Sequence, residues 1–174
     1  MNTFVHIKLI AKYKKVIYYS VCINDRAESL FENFIGRHTD TNRKKLNHIL
    51  SWIKIIGNKY GAKVYHFRPE AEISDTSALP PKGVKKEPSY IEHGKKKSNN
   101  LRLYCFRANE RVVFLFNGDI KTQLKAQDCP NVKQHFKTAN KITKALENAF
   151  VSREIEWNEE YDGILFDEDL KIDL

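Results

Sequence analysis

The stretch that decides the fold is residues 101–150, LRLYCFRANERVVFLFNGDIKTQLKAQDCPNVKQHFKTANKITKALENAF. Its first segment alternates as a strand does, and one face carries Arg102 and Tyr104. The next segment, VVFLF, is apolar on both faces and predicts a central strand. The pair Asn117-Gly118 then predicts a tight hairpin turn, because both residue types tolerate positive φ.

A long amphipathic helix is predicted after Pro130, from about residue 131 to residue 152. Its apolar positions recur three and four residues apart, as expected for a helix that packs on a sheet. A second face is basic and carries Lys133, Lys137, Lys141 and Lys144. Earlier in the chain, FVHIKLI, VIYYSVCI and AKVYHF predict strands, and two apolar stripes at helical spacing predict two helices.

The chain is predicted to form a single domain over residues 1–174, because its length suits one hydrophobic core. Residues 68–100 hold four prolines and end in GKKKSNN, which predicts a flexible insertion. Residues 151–174 form an acidic C-terminal extension. The apolar side chains of this extension predict that it packs on the body of the domain.

Charge is unevenly distributed along the chain, whose formal net charge is +8. Residues 151–174 contain nine acids and two bases, so residues 1–150 carry 28 bases against 13 acids. A body with a net charge of +15 favours contact with a phosphate backbone through counterion release. The alternative is a well-solvated surface without a polyanionic partner, and composition does not choose between the two interpretations.

The sequence lacks the motifs of several other functional classes. No HExxH, paired CxxC or DxDxDG motif and no glycine-rich phosphate loop occurs, so no metal or other cofactor is expected. The widely spaced Cys22, Cys105 and Cys129 are expected to be structural. No apolar run approaches the roughly 18 residues of a membrane span, and the N-terminus lacks the apolar core of a signal peptide. No membrane partner is therefore expected, and the expected location is cytoplasmic.

RNA cleavage without a metal ion needs a base for the 2′-hydroxyl, a cation for the phosphate and an acid for the leaving 5′-oxygen. Side chains suited to these tasks occur in residues 101–150, and the candidate catalytic residues are Arg102, Tyr104, Lys121 and His135. The candidate RNA-binding residues are Lys95, Lys96, Lys97, Arg107, Lys125, Lys133 and Lys137. Each also has an ordinary structural interpretation, because strand arginines pair with carboxylates and helix histidines often lie at the surface.

The chain resembles the RelE/ParE/HigB superfamily of bacterial toxins and, within it, the phage-derived HigB-like branch. The resemblance begins at VIYYSVCI, continues through LNHILSWIKIIGNKYG and is strongest from Leu101 onward. LRLYCF is similar to the family's arginine-bearing strand, and RVVFLFNGDIKTQLK is similar to an apolar strand that runs into a lysine-rich KKTQK segment. These matches make Arg102 and Lys121 candidate active-site residues, whereas Tyr104 and His135 are added from their chemistry. The resemblance implies an α+β fold with a small antiparallel β-sheet, two N-terminal helices and one C-terminal helix packed on it.

The resemblance also implies a function. Toxins of this kind belong to type II toxin–antitoxin systems and cleave mRNA on the ribosome by metal-independent attack of the 2′-hydroxyl. The expected partners are therefore mRNA and a small cognate antitoxin protein. The ParE branch acts on DNA gyrase instead, so a non-catalytic module that binds nucleic acid or a protein stays open as the alternative to an endoribonuclease.

Overall fold

A computed structural model describes residues 2–70 and 75–174, in which seven strands form one mixed β-sheet. The strands are β1 (Phe4–Lys12), β2 (Ile17–Ile23), β3 (Arg68–Pro69), β4 (Thr76–Leu79), β5 (Tyr90–Glu92), β6 (Lys95–Lys97), β7 (Leu103–Arg107), β8 (Val112–Leu115), β9 (Glu156–Trp157), β10 (Ile164–Leu165) and β11 (Ile172–Asp173). The α-helices are α1 (Leu30–His38), α2 (Arg43–Ile55) and α3 (Pro130–Val151). The order of the main sheet is β11-β1-β2-β8-β7-β4-β3.

This sheet shows that the predicted small antiparallel sheet is wrong. β2 and β8 pair in parallel, with Ile17 opposite Val112, whereas the other neighbours in the sheet are antiparallel. The sheet is also larger than predicted, because β11 and β1 extend one edge and β4 and β3 extend the other. Strands of only two residues, such as β3 and β11, carry no periodic signal that would reveal them in the sequence.

Helices cover both faces of the sheet. On one face, Phe34 of α1 and Ile49 of α2 belong to the same buried cluster as Leu103 of β7. On the other face, Ile142 of α3 shares a buried cluster with Tyr104 of β7. The predicted alternation of β7 is therefore confirmed. β8 is buried throughout and pairs antiparallel with β7, which confirms the prediction of a central strand.

Two short irregular turns follow helix α2. α2 continues into a π-helical turn at Ile56–Tyr60, which ends at Gly61 with a positive φ of 76°. Residues 62–67 form a 3₁₀ turn at Val64–His66, so the strand predicted for AKVYHF is wrong. α3 begins with Pro130 in its first turn, where the missing amide proton costs no helical hydrogen bond.

Residues 68–100 contribute strands to two sheets. Residues 71–74 lie outside the part of the chain that the structure describes. β3 and β4 join the main sheet, and β5 and β6 form a separate hairpin. This hairpin region contacts α2, because His48 Nε2 lies 2.9 Å from the carbonyl oxygen of Pro88 and Asn99 Nδ2 donates to the carbonyl of Lys45 at 3.0 Å. The flexibility of the insertion stays a prediction.

The acidic segment 151–174 folds back on the body of the chain. β9 pairs with β10, and β11 adds to the edge of the main sheet beside β1. Ile155, Ile164 and Ile172 are buried in the cluster that includes α3. The acidic side chains at residues 167–169 are exposed. The segment is therefore held by apolar burial and strand pairing, with these acids facing water.

Candidate active site

A groove of about 680 Å³ opens between β3, the segment that follows Ile120, and helix α3. The cationic side chains that line it come from four parts of the chain and are Arg68, Lys82, Lys121, Lys125 and Lys137. Glu70 is the acid among the lining residues. A surface with five cations and one carboxylate suits a ligand that carries several negative charges.

Glu70 lines this groove although only 5% of its side chain is exposed. Lys121 Nζ donates to Glu70 Oε2 at 3.0 Å. Arg102 Nε lies 3.8 Å from Glu70 Oε1. The two neighbouring cations offset the free-energy cost of removing this carboxylate from water.

Arg102 is a buried neighbour of Glu70. It directly precedes β7, and its Nη1 donates to the carbonyl oxygens of Asn99 at 2.6 Å and Leu101 at 3.2 Å. Burial, followed by the charge of Arg68, lowers the pKa of Arg102 to about 10, although Glu70 opposes the shift. The guanidinium therefore stays protonated at neutral pH, and its contacts suit it to hold the Glu70 carboxylate in place.

Tyr104 lies two positions along β7 on the same face and is fully buried against Phe136, with ring centroids 5.6 Å apart. Burial, followed by the charge of Glu70, raises the pKa of its hydroxyl, which therefore stays protonated. Among the described residues, Glu70 Oε1, Arg102 Nε and Tyr104 Oη are buried polar atoms without a hydrogen-bond partner. Burying polar atoms without hydrogen bonds lowers the stability of a fold, and a concentration of such atoms at one place is typical of a functional site.

A β-bulge places Lys121 beside Glu70. Cys105 of β7 lies opposite Leu115 of β8, and strict pairing would then place Leu101 opposite residue 119. The structure instead pairs Leu101 with Ile120. The strand that continues from β8 therefore contains one extra residue, as in a β-bulge.

The bulge also shows that the predicted hairpin turn at Asn117-Gly118 is wrong. The chain continues alongside β7, where the amide of Arg102 donates to the carbonyl of Asp119 at 3.0 Å and the amide of Tyr104 donates to the carbonyl of Asn117 at 3.0 Å. Glycine is needed at position 118 for close approach, because a Cβ there would lie 1.7 Å from the carbonyl oxygen of Arg102.

The residue after Lys121 is fixed to the start of α3. Cys129 Sγ accepts hydrogen bonds from the amide of Thr122 at 3.3 Å and lies 3.4 Å from its hydroxyl oxygen. Burial opposes ionisation of the thiol, but the hydrogen bonds from Thr122, Val132 and Gln123 together outweigh it and lower the pKa of Cys129 to about 7. The contact anchors the segment that carries Lys121.

His135 lies apart from the other three candidate catalytic residues. It lines a separate cavity, of about 510 Å³, together with Asn117 and Thr138. Burial, followed by the charge of Arg37, lowers the pKa of His135. The next residue of α3, Phe136, lines the basic groove, since successive helix positions point about 100° apart. The structure thus brings Arg102, Tyr104 and Lys121 together around Glu70 and leaves His135 elsewhere.

Two of the predicted RNA-binding residues, Lys125 and Lys137, line the groove itself. Lys133 is exposed on α3, one helical turn before Lys137. Lys95, Lys96 and Lys97 are exposed on β6.

Arg107 has a structural contact instead. Its Nε donates to the carbonyl oxygen of Ala62, so the side chain joins the end of β7 to the loop after α2. On β6, Lys96 pairs with Glu87 at 2.8 Å. The predicted RNA-binding residues therefore divide into a group at the groove and α3, a group on the β5–β6 hairpin, and one arginine engaged within the fold.

Glu70 is the site residue that sequence reasoning missed. It directly follows the two-residue strand β3, and no motif or periodicity marks it. One indirect signal exists, because a strand arginine such as Arg102 needs a carboxylate nearby when it is buried. That signal does not tell which of the 22 acids supplies the partner.

Within residues 2–70 and 75–174, no group of three or more histidine, cysteine or acidic side chains could hold a metal ion. In the same part of the chain, no helix combines the length and apolarity that a membrane crossing requires. No family model, no curated protein and no solved structure matches the chain.

Proposed function

We propose that this chain is the toxin component of a type II toxin–antitoxin system and that it cleaves mRNA at the Glu70 site. One observation supports cleavage best: Arg102, Tyr104 and Lys121 converge on a nearly buried carboxylate that lines a basic groove. The cations of the groove bind RNA phosphates, and the carboxylate–lysine pair supplies the proton transfers.

Glu70 acts as the general base. Its carboxylate, which lines the groove, accepts the proton of the 2′-hydroxyl. The 2′-oxygen then bonds to phosphorus while the bond from phosphorus to the 5′-oxygen breaks. Lys121 stabilises the charged phosphate and donates a proton to the leaving 5′-oxygen. The products are a 2′,3′-cyclic phosphate and a 5′-hydroxyl, and the hydrogen bond between Glu70 and Lys121 returns the proton to Lys121.

Arg102 and Tyr104 support this pair from inside the protein. Arg102 is a positioning residue, because it is buried and contacts Glu70 at 3.8 Å. The Tyr104 hydroxyl, which its raised pKa keeps protonated, lies within electrostatic range of the carboxylate and has no hydrogen-bond partner among the described residues.

The choice of substrate and partner rests on the resemblance of LRLYCF and RVVFLFNGDIKTQLK to the RelE/ParE/HigB toxins. From that resemblance we take ribosome-bound mRNA in the cytoplasm as the substrate and a small antitoxin as the inhibitor. A basic groove is suited to both, because RNA and an acidic antitoxin segment each carry negative charge.

A non-catalytic RNA-binding module is the second candidate. It is favoured by the pairing of Glu70 with two cations, since a purely structural ion network has the same composition. In that case the remaining cations of the groove hold RNA without cutting it.

Cleavage is tested with the purified full chain and end-labelled mRNA, either free in excess EDTA or on translating ribosomes in a buffer with Mg²⁺. We expect fragments that end in 2′,3′-cyclic phosphates. Glu70→Gln should slow cleavage by about 10²-fold or more, because it removes the base. The control is Glu110→Gln, which removes one carboxylate from the exposed pair with Lys63 and should leave the rate unchanged.

Three results would contradict cleavage at the Glu70 site. RNA binding without any cleavage by the wild-type chain would favour the binding module. Equal cleavage by wild type and Glu70→Gln would show that the reaction occurs at another place. Absence of both RNA binding and cleavage would reject the two candidates together.

A further inference from the structure

The basic groove continues along helix α3 into a second cavity. Lys137 and Asn140 line the groove and also line a cavity of about 610 Å³. The cationic side chains of this second cavity are Lys137, Lys141 and Lys144. A third cavity shares Lys141 and Lys144, but Glu154 and Asp173 also line it. The uninterrupted basic surface therefore runs from the groove to Lys144 and ends where these acids begin.

The three lysines form a row on the exposed face of α3. They are spaced four and then three positions apart, which places them on one side of the helix, and all three are exposed. From Lys137 to Lys144 the row extends about 10 Å along the helix axis. In the described part of the chain, none of the three takes part in a salt bridge.

Besides the lysines, the polar residues Thr3, Gln134, Thr138 and Asn140 line the second cavity. Ile23 and Leu174 are its apolar lining residues, and no aromatic side chain is among the described residues that line it. Protein interfaces are anchored by buried apolar and aromatic side chains, whereas a row of cations with amide and hydroxyl groups suits a phosphate backbone.

We infer that this row, from Lys137 to Lys144, holds the segment of single-stranded RNA that leads into the groove. The inference rests on the proposed function and adds the course of the substrate across the protein. A single strand is required because an A-form helix holds each 2′-oxygen out of line with the 5′-oxygen that leaves. The groove holds the reacting phosphate, and the lysines of α3 hold neighbouring phosphates of the same strand.

The test compares 2′-O-methyl RNA of 4 and 12 nucleotides with randomised sequence, which binds but cannot be cleaved. The full chain should bind the 12-mer on the order of tenfold more tightly than the 4-mer. Lys141→Ala/Lys144→Ala should remove this difference and leave the affinity for the 4-mer unchanged. The slope of log K against log salt concentration for the 12-mer should fall by about 1.4, since each phosphate contact contributes about 0.7 for single strands. The matched control is Lys44→Ala/Lys54→Ala, which removes the same charge from exposed positions of α2.

Several outcomes would overturn the inference. These are a 12-mer affinity that is unchanged in Lys141→Ala/Lys144→Ala, an equal loss in the control variant, and no binding of the 12-mer by the wild-type chain. Cleavage of unmodified RNA is measured separately. If the chain cleaves RNA but Lys141→Ala/Lys144→Ala still binds the 12-mer more tightly than the 4-mer, the inferred course of RNA along α3 is wrong and the proposed function stands. If Lys141→Ala/Lys144→Ala loses the difference in affinity between the two RNAs but the wild-type chain cleaves no RNA, the inferred course of RNA is right and the proposed reaction is wrong.

Discussion

Glu70 and Lys121 are 51 positions apart in the sequence, yet Lys121 Nζ meets Glu70 Oε2 at 3.0 Å with both side chains nearly buried. Glu70 follows β3 at the edge of the main sheet, and Lys121 follows the bulged continuation of β8. The ion pair therefore joins the edge of the sheet to its central part. Stability and the proposed chemistry depend on the same contact.

Glu70→Gln should destabilise the protein more than Lys121→Met does. Loss of the carboxylate leaves Arg102 and Lys121 close together without their shared counter-charge, which should cost about 3 kcal/mol of the free energy of unfolding. Lys121→Met leaves Glu70 with Arg102 and should cost less. Urea unfolding of both variants gives the comparison. An equal or larger loss for Lys121→Met would contradict the placement of Glu70 between two cations.

Gly118→Ala should destabilise the protein by at least about 3 kcal/mol, because the added methyl group would overlap the backbone carbonyl of Arg102. The matched control is Gly36→Ala in α1, where no atom lies within 4 Å of the added Cβ. That variant should gain about 0.5–1 kcal/mol, since alanine favours the helix. Thermal unfolding of the two variants measures both effects. A tolerated Gly118→Ala would show that the backbone of the bulge relaxes easily.

Stability should fall as the pH drops from 7 toward 5. Burial lowers the pKa of His38 from its ordinary value of 6.5, and burial also lowers the pKa values of three other histidines, His48, His66 and His135. Below the ordinary value, the unfolded chain takes up protons that the folded chain does not, so the free energy of unfolding decreases.

His38→Gln removes one of these groups and should flatten the pH dependence, by at most about 1.4 kcal/mol per pH unit. Its stability at pH 7 should also fall, because His38 Nε2 contacts the carbonyl of Gly118 at 3.3 Å. His93→Gln is the control, as that side chain is 83% exposed. Melting temperatures between pH 5 and pH 7 measure both slopes. Parallel slopes for wild type and His38→Gln would show that His38 does not contribute.

Neutralising the exposed acids of the C-terminal segment should have little effect on RNA binding. Asp167→Asn/Glu168→Gln/Asp169→Asn should change RNA affinity by less than about twofold at 0.15 M salt, because salt screens exposed charges over distances near 8 Å. The fold should be unaffected, since apolar burial of Ile155, Ile164 and Ile172 holds the segment. Fluorescence anisotropy with labelled RNA measures the affinity. A large gain in affinity would indicate that these acids compete with RNA for the basic surface.

The parts of the fold that sequence predicts are those with a long periodic signal. The alternation of β7, the apolar run of β8 and the apolar stripe of α3 all appear in the structure as predicted. β3 and β11 are two residues long and form because a longer strand already offers unpaired backbone groups at each edge. Their existence depends on the assembled sheet, so local sequence carries little information about them.

The candidate site was predictable only where its residues lie in those periodic elements. Arg102 and Tyr104 share a face of one strand, and this follows from alternation alone. Glu70 follows the short strand β3, and only tertiary structure brings it to Lys121. Asn117-Gly118 has the composition of a turn, but here the glycine is needed because the backbone of Arg102 approaches it closely.

The extra residue in the strand after β8 decides which face of the sheet carries the side chain of Lys121. Phe114 and Phe116 face α3, so strict alternation would turn Ile120 toward α3 as well and Lys121 toward α1 and α2. The structure shows the reverse, with Ile120 packed in the cluster of α1 and α2 and Lys121 beside Glu70. Without the bulge, the same sequence would turn the side chain of Ile120 toward the groove and the side chain of Lys121 into an apolar layer. A single bulged residue thus exchanges the two faces of this strand and places a charged side chain at the groove.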